Sequence, residues 1–140
     1  ELVFVFRKGR QGHRNNVQLG RFGRNRTNLW TYPGVNTFRK GRMEELMAHP
    51  TAKPVAMVQD AILDVTARGD IVLDPFLGAG STLIAAQRSG RTAYGLEIDP
   101  AYVDVILRRW RAETGQEAIR SADQSPFSAL EAGMQREEVQ

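Results

Sequence analysis

The sequence predicts an α/β fold built on a mostly parallel sheet, with helices on both faces of that sheet. Two short runs of mainly apolar residues, at 71–74 and 92–97, are each followed by a helical pattern. A strand, a helix and a second strand in this order form a unit of two parallel strands. A glycine-rich turn at 78–80 joins the first strand to its helix, which is typical of a ligand-binding edge in such sheets.

Composition restricts the kinds of protein that this chain can be. Its 140 residues are 41% hydrophobic and 25% charged, which is typical of one modest globular domain. It contains no cysteine, so disulfides and thiolate metal sites are excluded. No apolar run approaches the roughly twenty residues that cross a membrane. The chain begins with Glu1 directly before a strand pattern, and we expect it to be part of a longer protein.

Charge is divided unevenly along the chain. Residues 1–53 contain eleven Lys and Arg against three Asp and Glu, whereas residues 54–140 contain eight against thirteen. A basic first part joined to an acidic second part predicts contact between the basic part and a polyanion such as nucleic acid.

The first predicted element is a strand of the sheet at 1–6, within a first unit of residues 1–8. Residues 9–48 then form a basic segment with little periodicity, in which aromatic residues alternate with Arg and Asn. Such side chains contact phosphates and base edges, and aromatic rings stack on exposed bases. The candidate DNA-binding residues are Arg21, Arg24, Asn25, Arg26, Asn28 and Trp30. The alternative is a solvated basic loop whose aromatic residues only attach it to the core.

Two helices are predicted between the basic segment and the first core strand. One is short, at 43–47, and a proline-containing stretch ends it. The other begins at Val55, because apolar residues recur from there at three- and four-residue steps. His49 lies between the two helices, and a zinc site is not expected because no second His or Cys stands at ligand spacing.

The loop after the first core strand is the candidate ligand site. Gly78 and Gly80 let the backbone turn sharply and approach a ligand. Ser81 or Thr82 is expected to cap the helix that begins there. The loop lacks both the third glycine of a dinucleotide fingerprint and the lysine of a P-loop.

Two carboxylates indicate which ligand this loop would take. Asp74 ends the first strand and suits a cationic or amine group, while Glu97 ends the second strand and suits ribose hydroxyls. Together with the loop, they favour S-adenosylmethionine, a nucleoside that has an amino-acid tail and no phosphate. The alternative is an ordinary strand, turn and helix without a ligand.

The remaining predicted elements follow Glu97. Asp99 as N-cap and Pro100 in the first turn predict a helix over 100–113. A weak third strand is predicted at 118–119, and the tail at 121–140 includes a short helical pattern from residue 128.

Three motifs resemble those of the amino-methylating DNA methyltransferases. They are His49-Pro50-Thr51-x-Lys53-Pro54-Val55, Val72-Leu73-Asp74-Pro75-Phe76-x-Gly78-x-Gly80-Ser81-Thr82 and Gly95-x-Glu97-x-Asp99-Pro100-x-Tyr102. Their order resembles the permuted (β) class of adenine-N6 and cytosine-N4 enzymes, in which the catalytic segment precedes the cofactor segment. Within that class, the pattern Arg24-Asn25-Arg26-Thr27-Asn28-x-Trp30 resembles phage and mobile-element methylases.

The resemblance implies part of the Rossmann-like fold of S-adenosylmethionine-dependent methyltransferases, with residues 49–120 as the cofactor-binding region. It implies that Glu97 holds the ribose hydroxyls and that no catalytic residue lies in this chain. The residues themselves indicate no metal ligand. The residues that it implies for cofactor binding are Thr51, Lys53, Asp74, Pro75, Phe76, Gly78, Gly80, Ser81, Thr82, Glu97 and Asp99. Double-stranded DNA would be the partner, the compartment would be the cytoplasm of a prokaryote or phage host, and the longer parent could form a homodimer.

The chain departs from the family in one respect. The tetrapeptide Asp/Asn/Ser-Pro-Pro-Tyr/Phe/Trp, which receives the target amine in the family, does not occur in the 140 residues. In the permuted order it would lie upstream of Glu1, so we expect a C-terminal part that is inactive by itself. Adenine N6 is favoured over cytosine N4 as the target. The alternatives are a non-catalytic nucleic-acid-binding module with a vestigial cofactor fold, and a methyltransferase acting on RNA or a small molecule.

Overall fold

The computed structural model describes residues 2–10, 12–21, 27–33 and 52–137, with side chains to residue 133. The predicted short helix at 43–47, together with His49 and Thr51, lies outside these residues. The described elements are, in chain order, helix α1 (Val55–Val65), strand β1 (Ile71–Asp74), helix α2 (Ser81–Ser89), strand β2 (Thr92–Gly95), helix α3 (Pro100–Thr114) and helix α4 (Phe127–Glu137).

Strands β1 and β2 form the predicted parallel unit, with α2 as the connection between them. Ile71 is paired with Thr92 and Asp74 with Gly95, so both strands end at the same edge of the sheet. Strand β2 ends two residues earlier than predicted. The reason is that the partner of the Leu96 carbonyl lies in the loop after β1 and not in a strand: the Leu77 N–H donates to this carbonyl at 2.9 Å.

Helices α1 and α2 cover one face of this sheet. Ala85 and Ala86 of α2 are fully buried against Ile62 of α1, and Val72 and Ala93 of the two strands pack against the same cluster. The small alanine side chains let the two helices and the sheet approach closely. The core of the described residues therefore lies between these two helices and the sheet.

Within the described residues, the opposite face of the sheet is exposed, so the second helical layer of the prediction is not found there. Ile71, Leu73 and Tyr94 alternate with the partly buried positions of their strands and are 58–66% exposed. The prediction failed within the described residues because α1 and α2 both use the Val72 and Ala93 face. Helix α3 instead packs beside the loop that follows β1.

The predicted first strand is also absent. Residues 2–8 have no regular secondary structure, and the apolar side chains at 2–6 are 57–88% exposed. Strand propensity alone does not form a strand, because its backbone N–H and C=O groups need a neighbouring strand as partner. In the described part of the chain, the sheet contains only β1 and β2, which pair with each other.

Two described parts of the basic segment, 12–21 and 27–33, are attached to α1. The Asn16 side chain donates to the carbonyls of Leu63 and Thr66, each at 2.7 Å, at the carboxyl end of that helix. The Tyr32 hydroxyl donates to the Asp60 carboxylate in the middle of the same helix. These contacts hold the segment along the side of α1.

The C-terminal part is a helix fixed to α3. Phe127 is buried beneath the guanidinium groups of Arg108 and Arg111, which also form ion pairs with Glu131. The weak third strand is reduced to a single antiparallel bridge between Ile119 and Pro126. No helix in the described ranges has the length and apolar character needed to span a membrane.

Candidate functional site

The loop between β1 and α2 turns sharply at two glycines. Gly78 has φ +54° and Gly80 has φ +79°, a region that favours glycine because it has no Cβ. The Gly80 N–H donates to the Leu77 carbonyl at 2.9 Å and closes the turn. The loop therefore places the first turn of α2, with its unpaired backbone N–H groups, at the carboxyl edge of the sheet.

Gly80 is the N-cap of α2, and no side chain caps this helix. The prediction that Ser81 or Thr82 would do so is wrong. The Ser81 hydroxyl instead donates to the Lys53 carbonyl at 2.8 Å. Ser81 is buried, so this bond ties the stretch before α1 to the start of α2.

Asp74 holds the beginning of the loop. Its carboxylate accepts the Phe76 N–H at 3.0 Å, which is the geometry of a turn stabilised by an aspartate side chain. Asp74 is half-buried, whereas Pro75 and Phe76 are exposed. Of these three predicted site residues, Asp74 is the one whose side chain forms a hydrogen bond within the described loop.

Glu97 joins the end of β2 to the middle of the loop. Its Oε2 accepts the Gly78 N–H at 2.7 Å, and its Oε1 accepts the Asp99 N–H at 3.1 Å. A carboxylate has about four acceptor directions, so these two bonds are compatible with acceptance of ribose hydroxyls as well. Asp99 in turn caps α3 through the Ala101 N–H at 2.9 Å, as predicted.

Three separate stretches of chain therefore meet at one edge of the sheet. They are the stretch at 52–54, the loop at 74–82 and the residues that follow β2, and the bonds of Ser81 and Glu97 connect them. The arrangement offers two half-buried carboxylates and a helix N-terminus. It could bind a ligand that carries both an amine and neighbouring hydroxyl groups. Within the described residues, no group of three or more His, Cys, Asp or Glu is placed to hold a metal ion.

Sequence reasoning missed the support that α3 gives to this loop. Ile106 is buried against Gly80, where a Cβ would come within 3.1 Å of its side chain. The Arg109 guanidinium donates to the Ala79 carbonyl. Arg109 follows Ile106 by three residues and so lies on the same face of the helix, which is the signal that could have found it.

The candidate DNA-binding residues are only partly described. Arg24, Asn25 and Arg26 lie outside the described residues. Arg21 and Asn28 are exposed. Trp30 is half-buried and packs edge-on against Tyr32, with ring centroids 6.4 Å apart.

The described side chains of the basic segment are of two kinds: aromatic residues that contact the core and arginines that are accessible to solvent. Trp30 contacts the ring that is attached to α1, as expected if aromatic residues fix this segment to the core. Arg21 and the half-exposed Arg14 remain accessible to a polyanion.

Comparison with known proteins gives matches along most of the chain. The family model described as DNA methylase, of the N6/N4 methyltransferases, matches residues 3–108. The type II methyltransferase M.ScaI of Streptomyces caespitosus is 36% identical over 91 residues, which cover 65% of this chain and 30% of that protein. The DNA adenine methyltransferase YhdJ of Escherichia coli K12 is 43% identical over 82 residues, which cover 59% of this chain and 26% of that protein.

Among solved structures, M1.HpyAVI in complex with SAM superposes with a TM-score of 0.46 at 30% identity. The match covers 61% of this chain and 42% of that chain. The aligned part of this chain thus spans less than a third of the two curated relatives and less than half of the solved structure.

Proposed function

The chain belongs to the N6/N4 DNA methyltransferase family, and from that membership we propose that it is the cofactor-binding part of a DNA methyltransferase. The intact protein would transfer a methyl group from S-adenosylmethionine to an exocyclic amine of a base in double-stranded DNA. The observation that carries the proposal is the 2.7 Å bond between Glu97 and the Gly78 N–H, which holds a ribose-type acceptor against a glycine loop.

The residues at this edge fit the proposed cofactor by their chemistry. The sulfonium cofactor supplies the methyl group when it is bound. Asp74 lies at the end of β1 and would face the amino group of the methionine part, while Glu97 would accept the ribose hydroxyls. Lys53, which the Ser81 bond holds near the start of α2, would lie close to the cofactor carboxylate together with Thr51.

The remaining predicted site residues have three different roles under this proposal. Gly78, Gly80 and Thr82 shape the backbone next to the cofactor. Pro75 and Phe76 are exposed at the mouth of the loop, where Phe76 could cover a bound ligand. Asp99 acts mainly through its cap on α3, since its carboxylate accepts a backbone N–H of that helix.

The acceptor side of the reaction must come from elsewhere in the intact protein. The exocyclic amine of adenine or cytosine is a weak nucleophile, because its lone pair is conjugated with the ring. A side chain and a backbone carbonyl that accept its hydrogens would aim that lone pair at the methyl group, with the base turned out of the duplex. No Asp/Asn/Ser-Pro-Pro-aromatic tetrapeptide occurs among these 140 residues to do so.

We further infer the permuted β-class order, phage or mobile-element type, and adenine N6 as the target. The order of the three motifs supports the first, and the Arg/Asn-rich pattern at 24–30 supports the second. The relative that is 43% identical is named a DNA adenine methyltransferase, which favours the third. The basic segment at 9–48 would lie against DNA, with Arg21 among the residues that contact phosphate.

Calorimetric titration of the intact protein with S-adenosylmethionine tests the cofactor site. We expect binding that is weakened about tenfold to a hundredfold by Asp74→Ala and by Glu97→Ala, since each leaves a polar group of the ligand without its partner. Asp104→Asn serves as the control, because it removes a carboxylate of α3 whose ion pair among the described residues is with Arg108 on the same helix.

Wild-type affinity in both site variants would contradict the assignment of these carboxylates. If the unmodified protein binds DNA but no S-adenosylmethionine, the chain is a nucleic-acid-binding module and the proposed function is wrong.

A further inference from the structure

A second element, helix α3, contacts the glycine loop through two residues. Ile106 lies directly against Gly80. One helical turn further on, Arg109 donates a hydrogen bond to the Ala79 carbonyl. Ala79 is buried, so the hydrogen bond that this carbonyl accepts within the protein is shielded from competition with water.

The hydrogen bond from Arg109 restrains the peptide unit between Ala79 and Gly80. The Ala79 carbonyl and the Gly80 N–H belong to one peptide unit, and that unit is planar. Its carbonyl is held by Arg109, and its N–H donates to the Leu77 carbonyl at 2.9 Å. Both ends of the peptide plane are therefore fixed, and the plane cannot rotate unless both bonds break.

Rotation of this plane is the motion that the loop would otherwise allow. Glycine occupies positive and negative φ with similar ease, so a loop with glycines at 78 and 80 has several accessible conformations. Only some of them direct the N–H groups of the loop and of α2 toward the carboxyl edge of the sheet. A hydrogen bond to the Ala79 carbonyl favours one of these loop conformations, and it does so without contact between Arg109 and the ligand.

Helix α3 also contacts helix α2 through an ion pair. Arg88 of α2 forms a two-pronged ion pair with Glu113 of α3, at 2.6 and 2.7 Å. The hydrogen bond from Arg88, with a smaller contribution from the Arg109 charge, lowers the pKa of Glu113. Arg88 thus connects the carboxyl end of α2 to α3. Arg109 connects the loop before α2 to the same helix, α3.

We propose that Arg109 is a positioning residue, which fixes the Ala79–Gly80 peptide plane in the orientation that receives the cofactor. This inference rests on the proposed function for the identity of the ligand. Arg109 would not contact S-adenosylmethionine, and its effect on binding would pass through the loop. The sequence neighbour Arg108 is a matched control, since it lies on the same helix but pairs with Glu131.

The experiment compares three variants of the intact protein: Arg109→Met, which retains an unbranched stem, Arg109→Lys, which retains one charged donor, and Arg108→Met. Calorimetry with S-adenosylmethionine is carried out well below the unfolding temperature of each protein. We expect Arg109→Met to weaken binding about tenfold or more, because hydrogen bonds to charged groups are among the stronger ones. Arg109→Lys should recover part of that loss, and Arg108→Met should bind as the unmodified protein does.

Amide hydrogen exchange, measured without cofactor, tests the loop separately from ligand binding. A local effect on the loop is distinguished from general destabilisation by comparing the loop amides with those of α1. We expect faster exchange at the Gly78 and Gly80 amides in Arg109→Met, with the amides of α1 unchanged. Wild-type affinity in Arg109→Met, or unchanged exchange in the loop, would overturn the inference. If the unmodified protein binds no S-adenosylmethionine, the proposed function fails, whereas the exchange measurement still decides whether Arg109 holds the loop.

Discussion

Removal of the Glu97 side chain should loosen the glycine loop even without any ligand. In this structure the carboxylate accepts the Gly78 N–H at 2.7 Å and the Asp99 N–H at 3.1 Å. Glu97 is half-buried, so water can replace part of each bond, and we assign about 1 kcal/mol to each. Glu97→Ala should therefore lower the free energy of unfolding by about 2 kcal/mol, which corresponds to a decrease in Tm of about 4–8 °C for a protein of roughly 150–250 residues.

Glu97→Gln separates the two bonds. The amide has one acceptor oxygen, so it can satisfy one of the two N–H groups, and about half of the loss should remain. Thermal and urea unfolding of the intact protein without cofactor measure both variants, with Asp104→Asn as a surface control worth at most about 1 kcal/mol. If both Glu97 variants unfold within about 1 °C of the unmodified protein, the carboxylate does not hold the loop, and its role would be confined to ligand binding.

Three further changes test separate contacts. Gly80→Ala should destabilise the protein by about 1–2 kcal/mol in urea unfolding, because Gly80 has φ +79° and the new Cβ would lie 3.1 Å from the Ile106 side chain. Ser81→Ala should cost about 1–2 kcal/mol in the same assay, because it removes the hydrogen bond that the buried Ser81 hydroxyl donates to the Lys53 carbonyl. Hydrogen bonds from two arginines of α3 lower the pKa of Glu131, so its contribution to stability is present above the ordinary value of 4.5 and is lost as pH falls through the lowered value. In Glu131→Gln, the free energy of unfolding should therefore fall less between neutral and acidic pH than it does in the unmodified protein. The same pH dependence in both proteins would contradict this role of Glu131.

The parallel unit could be predicted from the sequence because its signals are local. The strand at 71–74 has the predicted bounds and the predicted helix follows it at 81–89, since an apolar run, two glycines and a helical pattern follow one another directly. Asp99 was predicted as a cap for the same reason, because its partner is the Ala101 N–H only two residues away.

Features that depend on distant partners could not be predicted in this way. The apolar run at 2–6 has strand propensity, yet it pairs with neither β1 nor β2 in the described sheet. Ser81 was expected to cap its own helix, but a carbonyl 28 residues earlier in the chain accepts its hydroxyl. The position of Glu97 at a strand end was predicted, whereas its bond to Gly78, 19 residues away, required the folded structure.

Product analysis of DNA methylation tests the central claim most directly. The intact protein is incubated with methyl-labelled S-adenosylmethionine and unmethylated duplex DNA, and the digested nucleosides are separated by mass. We predict labelled N6-methyladenine with the intact protein, about tenfold to a hundredfold less label with Glu97→Ala at a cofactor concentration below the Kd of the unmodified protein, and no label with residues 1–140 alone. Residues 1–140 contain no acceptor tetrapeptide. Labelled N4-methylcytosine would change the target base, and methyl transfer by residues 1–140 alone would show that the acceptor lies within this chain. DNA without label from the intact protein would contradict the proposed function.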